Sequence, residues 1–229
     1  VPRDIEAEGL KRVFSEWLNR FRPKVFEEVT NSRLHVILHS EVERLLINRG
    51  FEAVDDLKWV RGEDAPIRQV FKFTKLKGGV FVPMWGVSLD FVPHISGKKV
   101  SWHRSNKSAR LDLCFHPHGH GLQMPYVEGP APILRRYKYV IGEAVEEATK
   151  FWNMCYQIDA LPDAIKWLRA YYSDGKALTF YNYTQHFVTV AFLLKRSGRP
   201  EEALAELDRQ YAEFREPEAW QRLKSLLSE

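Results

Sequence analysis

The stretch IRQVFKFTKLKGGVFVPMWGVSLDFVPHI, residues 67–95, decides the fold. Apolar side chains recur at every second position on both sides of Gly78-Gly79, the pattern of two half-buried strands joined by a tight turn. Phe71 and Phe73 then point one way and Arg68 and Lys72 the other; beyond the turn Phe81, Trp85, Val87, Leu89 and Phe91 share a face. Pro83 has no N–H for a ladder, so an edge position or a bulge is expected there. A third strand is expected around residues 100–102. A fourth falls in RLDLCF, residues 110–115, with Leu111, Leu113 and Phe115 inward.

On the N-terminal side the period changes. Leu10, Val13, Phe14, Trp17, Leu18 and Phe21 recur at helical spacing, with Asp4 placed to cap the run and Pro23 to stop it. A second helix is expected to start near Asn31 or Ser32, with Leu34, Ile37, Leu38, Val42, Leu45 and Leu46 as its apolar stripe and Gly50 as its terminator. On the C-terminal side, glycine and proline in VEGPAP, residues 127–132, mark a junction, and from Arg135 onward the pattern is helical. Within VTVAFLLKRSGRPEEALAELDRQYAEF, residues 188–214, Gly198 closes one helix and Pro200 opens the next, while Glu201 and Glu202 suit that second N-terminus. This hairpin resembles one tetratricopeptide-type unit, faintly echoed by LPDAIKWLRAYY, residues 161–172, although the tetratricopeptide Trp and Tyr signature is not matched.

The fold class expected from these elements is α+β. An antiparallel sheet of four or five strands is flanked on one face by two N-terminal helices, in a unit spanning residues 1–130. An all-helical region with the hairpin follows in residues 131–229, packed on the sheet or forming a subdomain.

Composition narrows the class further. The chain has 229 residues, 45% of them hydrophobic, enough to bury a core. The opening VPRDIEAEGLKRVF carries charges every few positions, and nowhere do about 18 uncharged apolar residues run together, so a soluble cytoplasmic protein without a membrane partner is expected. Cys114 and Cys155 are the two cysteines, and their strand-like and helix-like settings suit buried thiols better than a disulfide framework. Charge is uneven: residues 58–110 carry eleven Lys and Arg against three Asp and Glu, whereas both flanking segments are net acidic. Such a field attracts an acidic protein or a polynucleotide and weakens with salt.

The densest basic stretch is SGKKVSWHRSNKSARLD, residues 96–112, in which Lys98, Lys99, His103, Arg104, Lys107 and Arg110 interleave with Trp102. With Arg68 and Lys72 from the sheet, these residues form the candidate partner surface. Cations beside an aromatic ring suit anchoring of an acidic protein. They also suit phosphate contact with base stacking, and a plain solvated hairpin carries the same pattern.

LCFHPHGHGLQMP, residues 113–125, places His116, His118 and His120 at alternate positions, the ligand set that zinc takes with a fourth position left for water. Pro117 and Gly119 interrupt a regular strand, Asp112 is the nearest carboxylate, and a solvated loop is the competing reading. No cofactor is otherwise expected. His35 and His39 have the i, i+4 spacing of a zinc-binding helix, but Val36 stands where the zincin pattern puts Glu, which favours histidines on a helix flank. Asp90 and Asp112 lack the E-x-K or D-x-K neighbour of a magnesium nuclease centre. G-x-S-x-G, P-loop, G-x-G-x-x-G and C-x-x-C motifs are absent from the sequence.

The succession of two helices, the second ending in NRGF, then WVR and a Phe-rich strand leading to SLDFVP, resembles bacterial domains of unknown function. Some of those domains stand near polymorphic toxins as immunity proteins. The resemblance covers residues 8–115, and it implies an α+β domain, no cofactor and a protein partner. The expected function is a non-enzymatic binding protein of immunity or antitoxin type with an acidic protein partner. The alternative is a nucleic-acid-binding accessory factor, or a metal-dependent enzyme acting on phosphate esters through the His116, His118 and His120 loop.

Overall fold

The computed structural model describes residues 30–62, 66–76, 80–96, 98–115, 122–125, 131–173, 186–210 and 217–229. Helix α1 (Asn31–Leu46) begins where the Thr30 hydroxyl accepts the Arg33 N–H at 3.1 Å, satisfying one of the donors a helix start leaves open. Leu34, Leu38, Val42 and Leu46 form its buried stripe. A short turn follows, and Gly50 at φ +79° stops it in the left-handed region. The helix expected over residues 4–23 lies outside the described residues.

Among the described residues the sheet has six strands in five positions: β1 (Glu52–Asp55), β2 (Lys58–Arg61), β3 (Ile67–Leu76), β4 (Val80–Leu89), β7 (Leu113–Phe115) and β8 (Met124–Pro125). All described pairings are antiparallel, in the order β1-β2-β3-β4-β7. Strands β3 and β4 pair along their full length, from Ile67 opposite Leu89 to Leu76 opposite Val80. This is the hairpin read from the alternation, although Gly78-Gly79 itself falls outside the described residues. Strand β8 continues on the same edge of β4 as β7, opposite Val80 and Phe81.

Three expectations change. Strand β4 is central, with Phe81 to Leu89 buried throughout, and Pro83 stands in the interval between the β7 pairs at 85–87 and the β8 pairs at 80–81. The sheet's third position is not taken by residues 100–102. Instead β6 (Lys99–Ser101) pairs with β5 (His94–Ser96) in a separate two-stranded ribbon. Its apolar residues Ile95 and Val100 face each other across the ribbon and join the core there. Finally, β1 and β2 extend the sheet ahead of β3, in strands too short for their alternation to stand out.

Helices cover one face. Helix α2 (Ala131–Met154) lies along β4, where Trp152 Nε1 donates to the Gly86 carbonyl at 2.9 Å and Tyr137 meets the Phe81 ring edge-on at 5.5 Å. Helix α1 sets His35 in a stack over Trp59 at 6.1 Å. Helix α3 (Leu161–Ser173) brings Trp167 and Tyr171 against Phe115. Between these helices and the strands, Trp59, Phe71, Phe81 and Trp85 are completely buried. Each phenylalanine so removed from water contributes about 1.5–3 kcal/mol.

The opposite face is covered by the chain's own excursion from Asp90 to Asp112, whose Val92, Ile95, Ala109 and Leu111 are buried against it. Against this excursion sit helices α4 (His186–Arg196) and α6 (Pro217–Ser228), with α5 (Pro200–Gln210) packed on both of them. Thr189 of α4 donates to the Asp112 carbonyl at 3.0 Å, Phe192 meets Trp102, and Glu218 of α6 pairs with Lys98 at 2.9 Å. Helices α4 and α5 form a hairpin through Gly198 at φ +74°, with Arg199 N–H bonded back to the Leu194 carbonyl. Pro200 opens α5, with Glu201 and Glu202 in its first turn.

Candidate functional site

Between the excursion and the uncovered part of the second sheet face lies a cleft of about 1120 Å³. Its floor comes from β2 and β3, through Lys58, Val70, Lys72 and Thr74. Its wall comes from the excursion, through His94, Trp102, His103, Lys107, Arg110 and Asp112. Asp55, the last residue of β1, and Asp56, in the turn that follows it, also line the cleft. The cleft exists because side chains alternate along β3. Phe71 and Phe73 are drawn into the aromatic layer under the helices, which turns Lys72 and Thr74 to the other side.

At the deep end Asp112 joins three parts of the chain. Its Oδ2 accepts the Leu89 N–H at 2.6 Å and lies 2.8 Å from His103 Nε2, and its carbonyl accepts the Thr189 hydroxyl. Burial pushes the Asp112 carboxyl up, against the opposing pull of the His103 ring and the Leu89 N–H. Asp112 and His103 are 6% and 2% exposed, so the pair is an internal tie between the end of β4 and the excursion. The turn between them is held by Ser105 and Ser108, whose hydroxyls are 2.9 Å apart.

The cationic residues singled out in the sequence are divided by the structure. Lys72, Trp102, His103, Lys107 and Arg110 meet in the cleft. Arg68 is buried under the excursion, donating from its guanidinium to the Arg104 carbonyl. Arg104 lies on the far side of Trp102, its guanidinium 4.5 Å from the ring centre, and lines a smaller pocket of about 340 Å³ with Phe91, Phe192 and Arg196. Lys98 is committed to Glu218, and Lys99 is exposed on β6.

Lys58, His94, Asp55 and Asp56 belong to the cleft and were not singled out in the sequence. Lys58 was hidden because β2 is only four residues long. The two aspartates stand in the acidic segment ahead of the basic one and reach the cleft only through the β1–β2 turn.

Lys58 is the better compensated lysine. Its Nζ is 3.6 Å from Asp55 and 3.2 Å from the Lys107 carbonyl. Lys72 stands directly opposite it in the ladder, with no ion pair or hydrogen bond among the described residues. Desolvation holds the Lys72 ammonium below its ordinary value, with Lys58 and Arg110 adding like charge and Asp55 and Cys114 acting in the opposite sense. The Cys114 thiol itself is pushed up to about 12 by burial and is a packed core group.

His116, His118 and His120 lie outside the described residues, and among the described residues no three His, Cys, Asp or Glu side chains come together as metal ligands. His35 Nδ1 is 2.6 Å from the Asp56 carbonyl and His39 Nε2 is 2.7 Å from Glu43, so each ring of the helical pair has a partner of its own. Asp90 and Asp112 diverge in role, since the Asp112 carboxylate is taken by Leu89 and His103.

His94, in the cleft wall, and His186, at the start of α4, are both held down to about 4, chiefly by desolvation. Their ordinary value is 6.5. On acidification the unfolded chain therefore takes up these protons first, and stability that is intact above pH 6.5 is lost progressively as pH falls towards 4. The melting temperature should fall across that interval, and the fall should be shallower in His186→Gln. An identical slope in wild type and variant would contradict burial of a neutral His186.

Comparison with protein-family models, curated proteins and solved structures finds no match. Fold and site alone therefore define the class: a mixed α+β protein with a cationic cleft on the face of its antiparallel sheet away from α1 and α2. No helix among the described residues is long and apolar enough to cross a membrane.

Proposed function

We propose that this chain is a non-enzymatic binding protein that takes an acidic segment of a protein partner into the cleft, as an immunity or antitoxin-like inhibitor does. The observation that carries this reading is the concentration of Lys58, Lys72, Lys75, Lys107 and Arg110 around one concave space beside Trp102. Trp and Arg are usual anchors of a protein interface, here Trp102 and Arg110, and the lysines around them supply the field that draws in an acidic partner.

The carboxylates lining the cleft favour a protein over a polynucleotide. Asp55 and Asp56 interrupt the positive field where a phosphate backbone would run. A backbone with one charge per residue would meet like charge there, whereas an acidic peptide carries spaced carboxylates and its own N–H donors for those aspartates. Lys98 is already paired with Glu218 and extends the track no further.

The test is fluorescence anisotropy with a labelled oligoglutamate peptide, against single- and double-stranded oligonucleotides of similar charge. The peptide should bind and weaken with added salt. The Lys107→Glu, Arg110→Glu double variant should lose at least about tenfold in affinity. Tighter binding of either oligonucleotide, or equal affinity of wild type and variant for the peptide, would overturn the proposal.

A further inference from the structure

The structure assigns the Lys72 ammonium as a receptor for a single carboxylate on the cleft floor, with Lys58 and Arg110 beside it. The assignment deepens the proposed reading of the cleft, on which it rests. Like charges directly opposite each other across an antiparallel ladder are unfavourable, and Lys58 and Lys72 are such a pair. The pair is half-buried, where water screens poorly. Lys58 has Asp55 and two carbonyls, at Lys107 and Ala109, to offset its charge. Lys72 has no such counterpart among the described residues.

Among the described residues Lys72 is unpaired, and its side chain is half-buried in the lining of an open cleft. An anion entering the cleft supplies the missing partner. Asp55 offsets Lys58, so Lys72 itself brings one unpaired positive charge to the ladder, which a monoanionic Glu or Asp carboxylate matches. Desolvation of the Lys72 ammonium in the free protein agrees with this placement, because a group already stripped of water loses little more when the ligand arrives.

Lys72→Met keeps the length of the side chain and removes its charge. If Lys72 is a receptor, the ligand-free variant should melt about 2–4 °C above wild type, because an unpaired half-buried charge and a like-charge contact are both gone. Added acetate, a monoanionic carboxylate, should raise the melting temperature of wild type and leave that of Lys72→Met unchanged, with Lys99→Met responding as wild type does. A lower melting temperature for Lys72→Met overturns the assignment, as do equal responses of the two proteins to acetate. A larger gain with inorganic phosphate than with acetate at the same concentration overturns the choice of a monoanionic carboxylate. Failure here is separable from failure of the proposed function, which is decided by oligoglutamate binding and the Lys107→Glu, Arg110→Glu variant.

Discussion

Replacing Asp112 by alanine should destabilise the protein by about 3–5 kcal/mol, since each of two buried donors left without an acceptor costs about 1–3 kcal/mol. The Asp112 carboxylate holds the Leu89 N–H at 2.6 Å and the His103 ring at 2.8 Å, and both partners are buried with it. Alanine leaves those two donors without an acceptor where both are almost wholly buried. Leu89 ends β4 and His103 stands inside the excursion, so the damage falls where the excursion is fastened to the sheet. Chemical denaturation followed by tryptophan fluorescence measures the loss. A change under about 1 kcal/mol, the size of one ordinary hydrogen bond, would mean that the tie is not formed.

Gly86→Ala should cost about 3 kcal/mol, the upper end of the range for overpacking a core. A Cβ at this position would stand 1.9 Å from the Leu113 carbonyl oxygen and 3.0 Å from Cys114 Cα. Both are backbone atoms of β7, so no rotamer change relieves the contact and the two strands must separate. Separation also shifts the Gly86 carbonyl, which accepts from Trp152 Nε1, and so loosens α2 from the sheet. The expected signature is lower denaturation midpoint with altered tryptophan emission. An alanine variant as stable as wild type would show that β4 and β7 do not approach this closely.

Both effects sit at places only partly legible in the sequence. The β3–β4 hairpin could be read from its alternation, as could α1 from its stripe and Gly50, and the α4–α5 turn from Gly198 and Pro200. Each of these signals is local, confined to residues that end as neighbours. Strand β4 was harder. Its second-side residues Val82, Met84, Gly86 and Ser88 look like a weakly apolar outer face, yet all are buried, Ser88 with its hydroxyl accepting the Arg110 N–H of the excursion. That covering is a long-range event which no period records. The separate ribbon of β5 and β6 escaped for the same reason: the residues expected as a third strand of the sheet pair with His94–Ser96 instead.

The site divides in the same way. Lys72, Trp102, Lys107 and Arg110 stood out as basic or aromatic residues close in sequence, and they line the cleft. His103 and Arg68 stood out on composition yet are internal, because charge counts do not tell a solvated cation from one tied under a loop. The pairing of His103 with Asp112 depends on the Ser105–Ser108 turn that folds the excursion back. The cleft aspartates arrive from another strand connection altogether.

The most direct measurement is amide chemical-shift mapping of the isotope-labelled protein during titration with oligoglutamate peptide at low salt. Occupation of the cleft predicts shifts concentrated in residues 70–75 of β3 and 101–111 of the excursion, fading with added salt, with α6 unmoved. Saturable binding whose shifts fall on the helices and spare both of those segments would contradict it.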